Sequence, residues 1–443
     1  MERRTFLKIL SSAGIVSLVS PTFAMEVCKN KVSKSSSALL ESAFRNPPFS
    51  SGVYTWWHWM NGNITKDGIT RDLEAMKANG IAGYQLFEAG SGIPIGPVES
   101  LSDEWVDLIL HTLKESERLG LEFAMHNCPG WSSSGGPWIT PDKAMQIITW
   151  SETKITVGKQ VRIQLPTPKH MFDYYIDTYC LAIPANMKVI PRLSILELSN
   201  RLDKDGVLTW DVPTGEWLIM RFGQTAKDQK NKSAPSKSTG LDCDKFSTEA
   251  LDYHLNCMFK RLMPAMEKIA KHSKIGLLID SYETGDQDWT SDMPAYFEQS
   301  HGYELYPFLP VLANKIVESE ESTKRFLFDF RRVRADMFAE RYYGHFQKRC
   351  KEKGIITYTE PYGGNMMEEL QVAQQLDINM GEFWCGQTVL WANYKYNRTV
   401  KQVASIAHTL GGKVVGAEAF TSEPDADKWL QYPYALKLSL IHI

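Results

Sequence analysis

Carboxylates mark the places in this sequence where chemistry could occur. Five glutamates stand where an apolar run turns polar: Glu88 after residues 81–87, Glu283 after 276–279, Glu360 after 356–359, Glu382 after 378–381 and Glu418 after 414–417. A short apolar run that breaks into polar residues reads as a buried parallel strand meeting its loop. In a β/α barrel such points face a common mouth. Several carboxyl groups around one cavity suit cleavage of a glycosidic bond, where one acid protonates the leaving oxygen and a second carboxylate activates water or attacks. The two must reach the sugar from opposite sides. That selects Glu283, on the fourth predicted strand, and Glu418, on the seventh. Asp280, Asp286 and Asp288 lie close to Glu283 in sequence and would raise its pKa, favouring it as the acid. For any one glutamate alone, an ordinary ion-pair role weighs about equally.

Glu382, beside Phe383 and Trp384, is a third carboxylate that could help hold a hard cation such as calcium. There is no DxDxDG loop, so spacing alone argues little for a metal. His58 between Trp57 and Trp59, and His126 before Asn127, are candidates to bind sugar hydroxyls. A lone His beside Trp is more often a satisfied structural group. The Gly-, Ser- and Pro-rich stretch 128–138, with Trp131 and Trp138, either lines a site or forms a rigid turn around buried indoles. No HExxH, GxSxG or Walker pattern occurs, which sets aside zinc peptidase, serine hydrolase and P-loop chemistry.

These side chains need a scaffold, and the sequence supplies a repeating one. Strands are expected near residues 57, 84, 124, 279, 358, 380 and 416, with helices between them. Thr65, Ser102 and Ser247 stand at N-cap positions, and Gly80 and Gly120 where helices should stop. One helix is expected over 247–270 and another over 325–353. Residues 150–240 break the pattern with alternating segments and Asp-Gly and Thr-Gly turns, an inserted antiparallel β subdomain. Its end, 227–238, reads as a mobile return loop. The fold class is therefore a (β/α)8 TIM-type barrel with seven strands visible and an insertion.

Bulk properties agree with a glycan-acting enzyme. The 443 residues carry a net charge of -3 with no long basic block, which argues against nucleic acid as a partner. Thirteen Trp and 18 Tyr could serve as sugar platforms, although core packing accounts for most. Seven scattered Cys without a CxxC pair make neither a zinc framework nor a dense disulfide scaffold. Arg3-Arg4 followed by an apolar run and a small-residue exit near Ala24 reads as a twin-arginine-like signal peptide over 1–24, too short to anchor in a bilayer, and implies a periplasmic or secreted protein. A linker is expected over 25–48, the first part of the barrel over 49–149, its incomplete second part over 241–437, and a non-native tail on a truncated frame over 438–443.

The motifs also resemble a known family. Residues 56–63 (WWHWMNGN), 72–77 (DLEAMK), His126-Asn127 with 130–138 (GWSSSGGPW), 280–283 (DSYE), 360–363 (EPYG) and 381–384 (GEFW) together resemble the α-L-rhamnosidases of glycoside hydrolase family 106, from about residue 49 to 421. The resemblance implies an inverting, calcium-assisted α-L-rhamnosidase acting on plant or microbial glycans. Its two catalytic glutamates fall on Glu283, assigned as acid, and Glu418, assigned as base, an assignment that can be exchanged. Substrate contacts are assigned to His58, Trp59, Asn61, Glu88, His126, Asn127, Trp131, Tyr282, Glu360 and Trp384, and the calcium contact to Glu382. A retaining glycosidase on the same scaffold, and a non-catalytic sugar-binding protein, are the alternatives.

Overall fold

The structure, a computed structural model, describes residues 34–131, 134–156, 158–231, 233–364, 366–385, 389–412 and 414–422. The expected signal sequence and the 438–443 tail lie outside them. Seven parallel strands lie side by side in chain order: β1 (Tyr54–Met60), β2 (Gly83–Ala89), β3 (Glu122–His126), β4 (Ile275–Ile279), β5 (Ile356–Thr359), β6 (Ile378–Cys385) and β7 (Gly416–Ser422). The sheet curls as a half-barrel. On its inner face Gln85 of β2 reaches Met380 of β6, Nε2 to Sδ 3.3 Å, and Ala124, Leu278, Tyr358 and Met380 from β3, β4, β5 and β6 form one apolar layer. β7 runs past Glu418 to Ser422 and shifts register against β6 between Glu382 and Trp384.

Local chemistry sets the helices between strands. The hydroxyl of Thr65 accepts the Gly68 N–H, that of Ser102 the Trp105 N–H, and that of Ser247 the Ala250 N–H, each satisfying a donor that the helix start leaves orphaned. Gly120 ends its helix in the left-handed conformation at φ 67°. The helix expected over 247–270 is two, Thr248–Phe259 and Met263–Ala270. Pro264, at the start of the second, has no N–H to continue the ladder. The long helix begins earlier than expected, at Glu320, capped by Ser319, and passes through a π-helical turn, Phe338–Gly344.

Between β3 and β4 the chain forms a four-stranded antiparallel sheet, ordered Gln146–Ile155, Trp217–Ala226, Ile176–Pro184, Leu196–Glu197, and a ribbon of Gln160–Gln164 with Val207–Asp211. Two expectations fail here and at the start. Residues 34–45, within the expected linker, form the helix Lys34–Arg45, which carries an Ala-Leu-Leu run and a Glu41–Arg45 pair one turn apart at 2.9 Å. Residues 227–238 are not a loose return: Asn231 and Ser238 are buried, Asn231 Nδ2 donates to Pro129 O at 3.0 Å, and Gly90 N donates to Ser233 O at 2.7 Å. Polar composition there serves buried hydrogen bonds rather than solvent.

Candidate active site

Side chains on a strand alternate between faces, and the phase of that alternation decides which residues meet a ligand. On β1, Trp57 and Trp59 turn outward to the helix layer, where Trp57 Nε1 donates to Asp72 at 3.0 Å and its ring packs edge-on against Trp59 and Tyr84. Trp56 and His58 turn inward. The same phase carries Phe87, His126, Asp280, Glu360, Glu382 and Glu418 to the inner face, so each of the seven strands contributes: His126, Asp280 and Glu360 at or just past the C-terminal end of their strands, and Glu382 and Glu418 from within theirs. Trp56, His58, Phe87, Asp280, Glu382 and Glu418 join Glu283 and Trp131 around one cavity of about 610 Å³. The rings form a wall: His58 to Phe87 is 4.6 Å between centroids and Phe87 to Trp131 5.3 Å, with His126 behind Phe87 at 4.7 Å.

The acidic groups differ in environment. Glu283, exposed on the loop after β4, accepts from the Trp131 indole N–H at 3.4 Å and faces the Ser281 hydroxyl at 3.5 Å. Burial and the Asp280 carboxylate push Glu418 up to about 8, Glu382 and Glu283 add to the repulsion, and the Thr421 hydroxyl, 2.5 Å away, pulls it back. Asp280 accepts the Ser281 N–H at 2.8 Å and faces His126 Nε2 at 2.9 Å. His126 Nδ1 faces the Leu86 carbonyl at 3.2 Å; a carbonyl only accepts, so Nδ1 carries hydrogen.

Several expected substrate contacts sit elsewhere. Trp59 is in the core for the reason of phase just given. Glu88 also points outward, accepting from Ser100 Oγ at 2.8 Å, and burial pushes it up to about 7. Asn61 is tied to the Ile93 carbonyl at 2.7 Å. Asn127 is a structural knot: its Nδ2 donates to Leu278 O at 2.9 Å, its Oδ1 accepts from Ser134 Oγ at 2.5 Å, and its carbonyl accepts from His254 Nε2 at 2.9 Å. Tyr282 packs against Phe338 with its hydroxyl on Gly285 O at 2.7 Å. Glu360 and His126 lie behind the cavity wall, both in hydrogen-bond contact with Asp280. The Trp384 side chain lies outside the described residues. Trp56, Phe87 and Asp280 were missed as lining residues, although counting by twos from His58 and from Leu278 leads to Trp56 and Asp280. Glu382, the expected calcium contact, lines the cavity beside Glu418, and among the described residues no three His, Cys, Asp or Glu groups gather as a metal ion would require.

The stretch 128–138 is held from below. Lys245, fully buried, donates from Nζ to Asp242 Oδ1 at 2.5 Å and to Ser134 O at 3.1 Å, and lies over the Tyr342 ring. Asp244 beside it accepts from Phe246 N, Gln287 Nε2 and Thr290 Oγ1, joining this segment to the loop after β4. Trp138 Nε1 donates to His254 Nδ1. The stretch is thus both things the sequence allowed, a site wall through Trp131 and a rigid turn through Trp138.

The family model described as alpha-L-rhamnosidase, glycoside hydrolase family 106, matches residues 45–178 and 169–440. The chain belongs to that family. Among relatives of this rhamnosidase-family chain, a protein of Formosa agariphila named putative beta-glucuronidase is 40% identical over 429 residues, which cover 90% of this chain and 36% of that protein. The rhamnosidase of Novosphingobium sp. PP1Y superposes with a TM-score of 0.77 at 24% identity, over 86% of this chain and 53% of that one, and so shares the fold. The chain thus spans little more than a third of the one relative and about half of the other. No helix among the described residues is long and apolar enough to cross a membrane.

Proposed function

We propose that this glycoside hydrolase removes terminal α-L-rhamnose from glycans with inversion, using Glu418 and Glu283 as the acid–base pair. The observation that carries the reading is the gathering of Glu283, Glu418, Asp280 and Glu382 around one cavity walled by aromatic rings. The aromatic wall suits the C–H faces and methyl group of a 6-deoxy sugar. The proton that Glu418 keeps up to about 8 makes it the acid at neutral pH, delivering hydrogen to the leaving oxygen. Glu283, open to water on the facing loop, is the base. This exchanges the two roles assigned from sequence. The negative charges opposite the anomeric carbon also favour an oxocarbenium-like transition state.

An acid must be protonated to act, so kcat/KM is expected to fall as pH rises through about 8, and Glu418→Gln should lose that arm. A limb that instead rises through the same region would make Glu418 the base. The anomer released first, read by NMR on an aryl α-L-rhamnoside, separates inversion from retention.

A glucuronide is a second reading, prompted by the name of the Formosa relative. The cavity disfavours it: four carboxyl groups line it and neither Lys nor Arg is among its described lining residues, so a sugar acid would meet repulsion. Parallel assays on aryl rhamnoside and aryl glucuronide decide between them. Calcium at Glu382 enters on family resemblance alone and no step is routed through it; treatment with EDTA is expected to lower the rate, and an unchanged rate removes the ion from the proposal. We further read the seven strands as part of a (β/α)8 barrel, the antiparallel sheets as a subdomain inserted in it, and the twin-arginine-like start as export to the periplasm or beyond.

A further inference from the structure

Glu360 is 1% exposed, and its Oε2 accepts the Tyr362 hydroxyl at 2.5 Å. Its Oε1, sealed from solvent, meets no donor. The Glu360 carboxyl is also in side-chain hydrogen-bond contact with that of Asp280. A bond between two carboxyl groups needs a proton on one of them, and two like charges in buried contact do not both stay ionised. Asp280 already accepts the Ser281 N–H, whereas Oε1 of Glu360 receives nothing. The proton therefore belongs to Glu360.

We propose that Glu360 is a permanently neutral carboxylic acid that donates its hydrogen to Asp280 and fixes that carboxylate beneath the reacting sugar. It is a positioning residue, acting through Asp280, and the proposal rests on the reading that the cavity hydrolyses a glycoside. The groups that face it are Asp280 on β4, Glu418 on β7 and Tyr362 on its own loop, with Tyr343 beyond, packed from the π-helical turn towards Asp280. Burial, then the charges of Asp280 and Glu418, hold its carboxyl well above the usual range, while Tyr362 pulls the other way. The consequence for catalysis is geometric. Asp280 lines the cavity beside Glu418, and a carboxylate held by the Ser281 N–H and the Glu360 carboxyl cannot swing away when positive charge develops on the sugar.

Two variants separate this from an ionised role. In Glu360→Gln the amide N–H₂ can donate to Asp280 and the amide oxygen can accept from Tyr362, reproducing the neutral acid. Activity on an aryl α-L-rhamnoside is expected to stay within about threefold of wild type with an unchanged pH profile. Glu360→Leu removes the donor, and kcat is expected to fall on the order of 100-fold with KM little changed. Loss of activity in the Gln variant comparable to that in the Leu variant overturns the proposal, as does full activity in both. An infrared difference spectrum of wild type against Glu360→Gln supplies a readout independent of turnover. At neutral pH the difference spectrum is expected to show one protonated-carboxyl carbonyl stretch lost in the variant, that of Glu418 being common to both and cancelling; its absence overturns the proposal even where the rhamnosidase reading stands. If the band is present but no rhamnoside is cleaved, the functional reading fails and the neutral acid survives.

Discussion

Glu418→Gln is expected to lower kcat by about 10²–10⁴-fold on a rhamnoside with a poor leaving group, because the variant has no proton to give the departing oxygen. The size of the loss should depend on the leaving group. A nitrophenolate departs with little help, so the same variant should lose far less on a nitrophenyl rhamnoside than on an alkyl one. Glu283→Gln has the opposite signature. Activation of water is needed whatever leaves, so its loss should be similar on both substrates. The pair of ratios assigns the roles without reference to pH, and a large leaving-group dependence in Glu283→Gln rather than in Glu418→Gln would restore the assignment made from sequence. Both variants keep the volume of the side chain, and Thr421 Oγ1 and Trp131 Nε1 can still donate to the amide oxygens, so thermal stability should be little altered.

The second large effect concerns the support rather than the chemistry. Lys245→Met is expected to lower the unfolding free energy by about 3–5 kcal/mol, since it leaves Asp242 buried and without its ammonium partner. Burial opposes the charge on Lys245, but Asp242 outweighs it and holds the ammonium well above the usual lysine range. The measurement is the denaturant midpoint. A double variant, Lys245→Met with Asp242→Leu, should recover much of the loss, because it is the solitary buried charge, not the absence of the pair, that is costly. Single and double variants of equal stability would refute this account. The single variant also removes one of two donors to the Ser134 carbonyl, leaving the Cys243 N–H at 2.9 Å, so Trp131 and with it the environment of Glu283 should loosen before the whole chain unfolds.

Sequence alone made the scaffold legible and left the orientation of its side chains obscure. The three cap residues announced their helices because a hydroxyl three residues before a free N–H is a local matter. The seven strands announced themselves as apolar runs. Phase did not. β1 has tryptophans at 56, 57 and 59, so both of its faces look aromatic. All seven residues of β2 are buried, so no polar alternation betrays which of Phe87 and Glu88 looks inward. Asp280 was noticed only as a neighbour of Glu283. The cluster around Lys245 reads in sequence as an Asp-Cys-Asp-Lys surface turn, and only tertiary packing buries it. Pro264 is different: its break in the helix could have been read from the sequence.

The inward set of side chains draws on every strand, with two from β1, while the residues on either side of them along the same strands pack the framework. Such a division of labour makes the rim evolvable. A lineage can exchange a member of the ring and acquire a different sugar preference while the neighbouring positions, which carry the thermodynamic load, stay untouched.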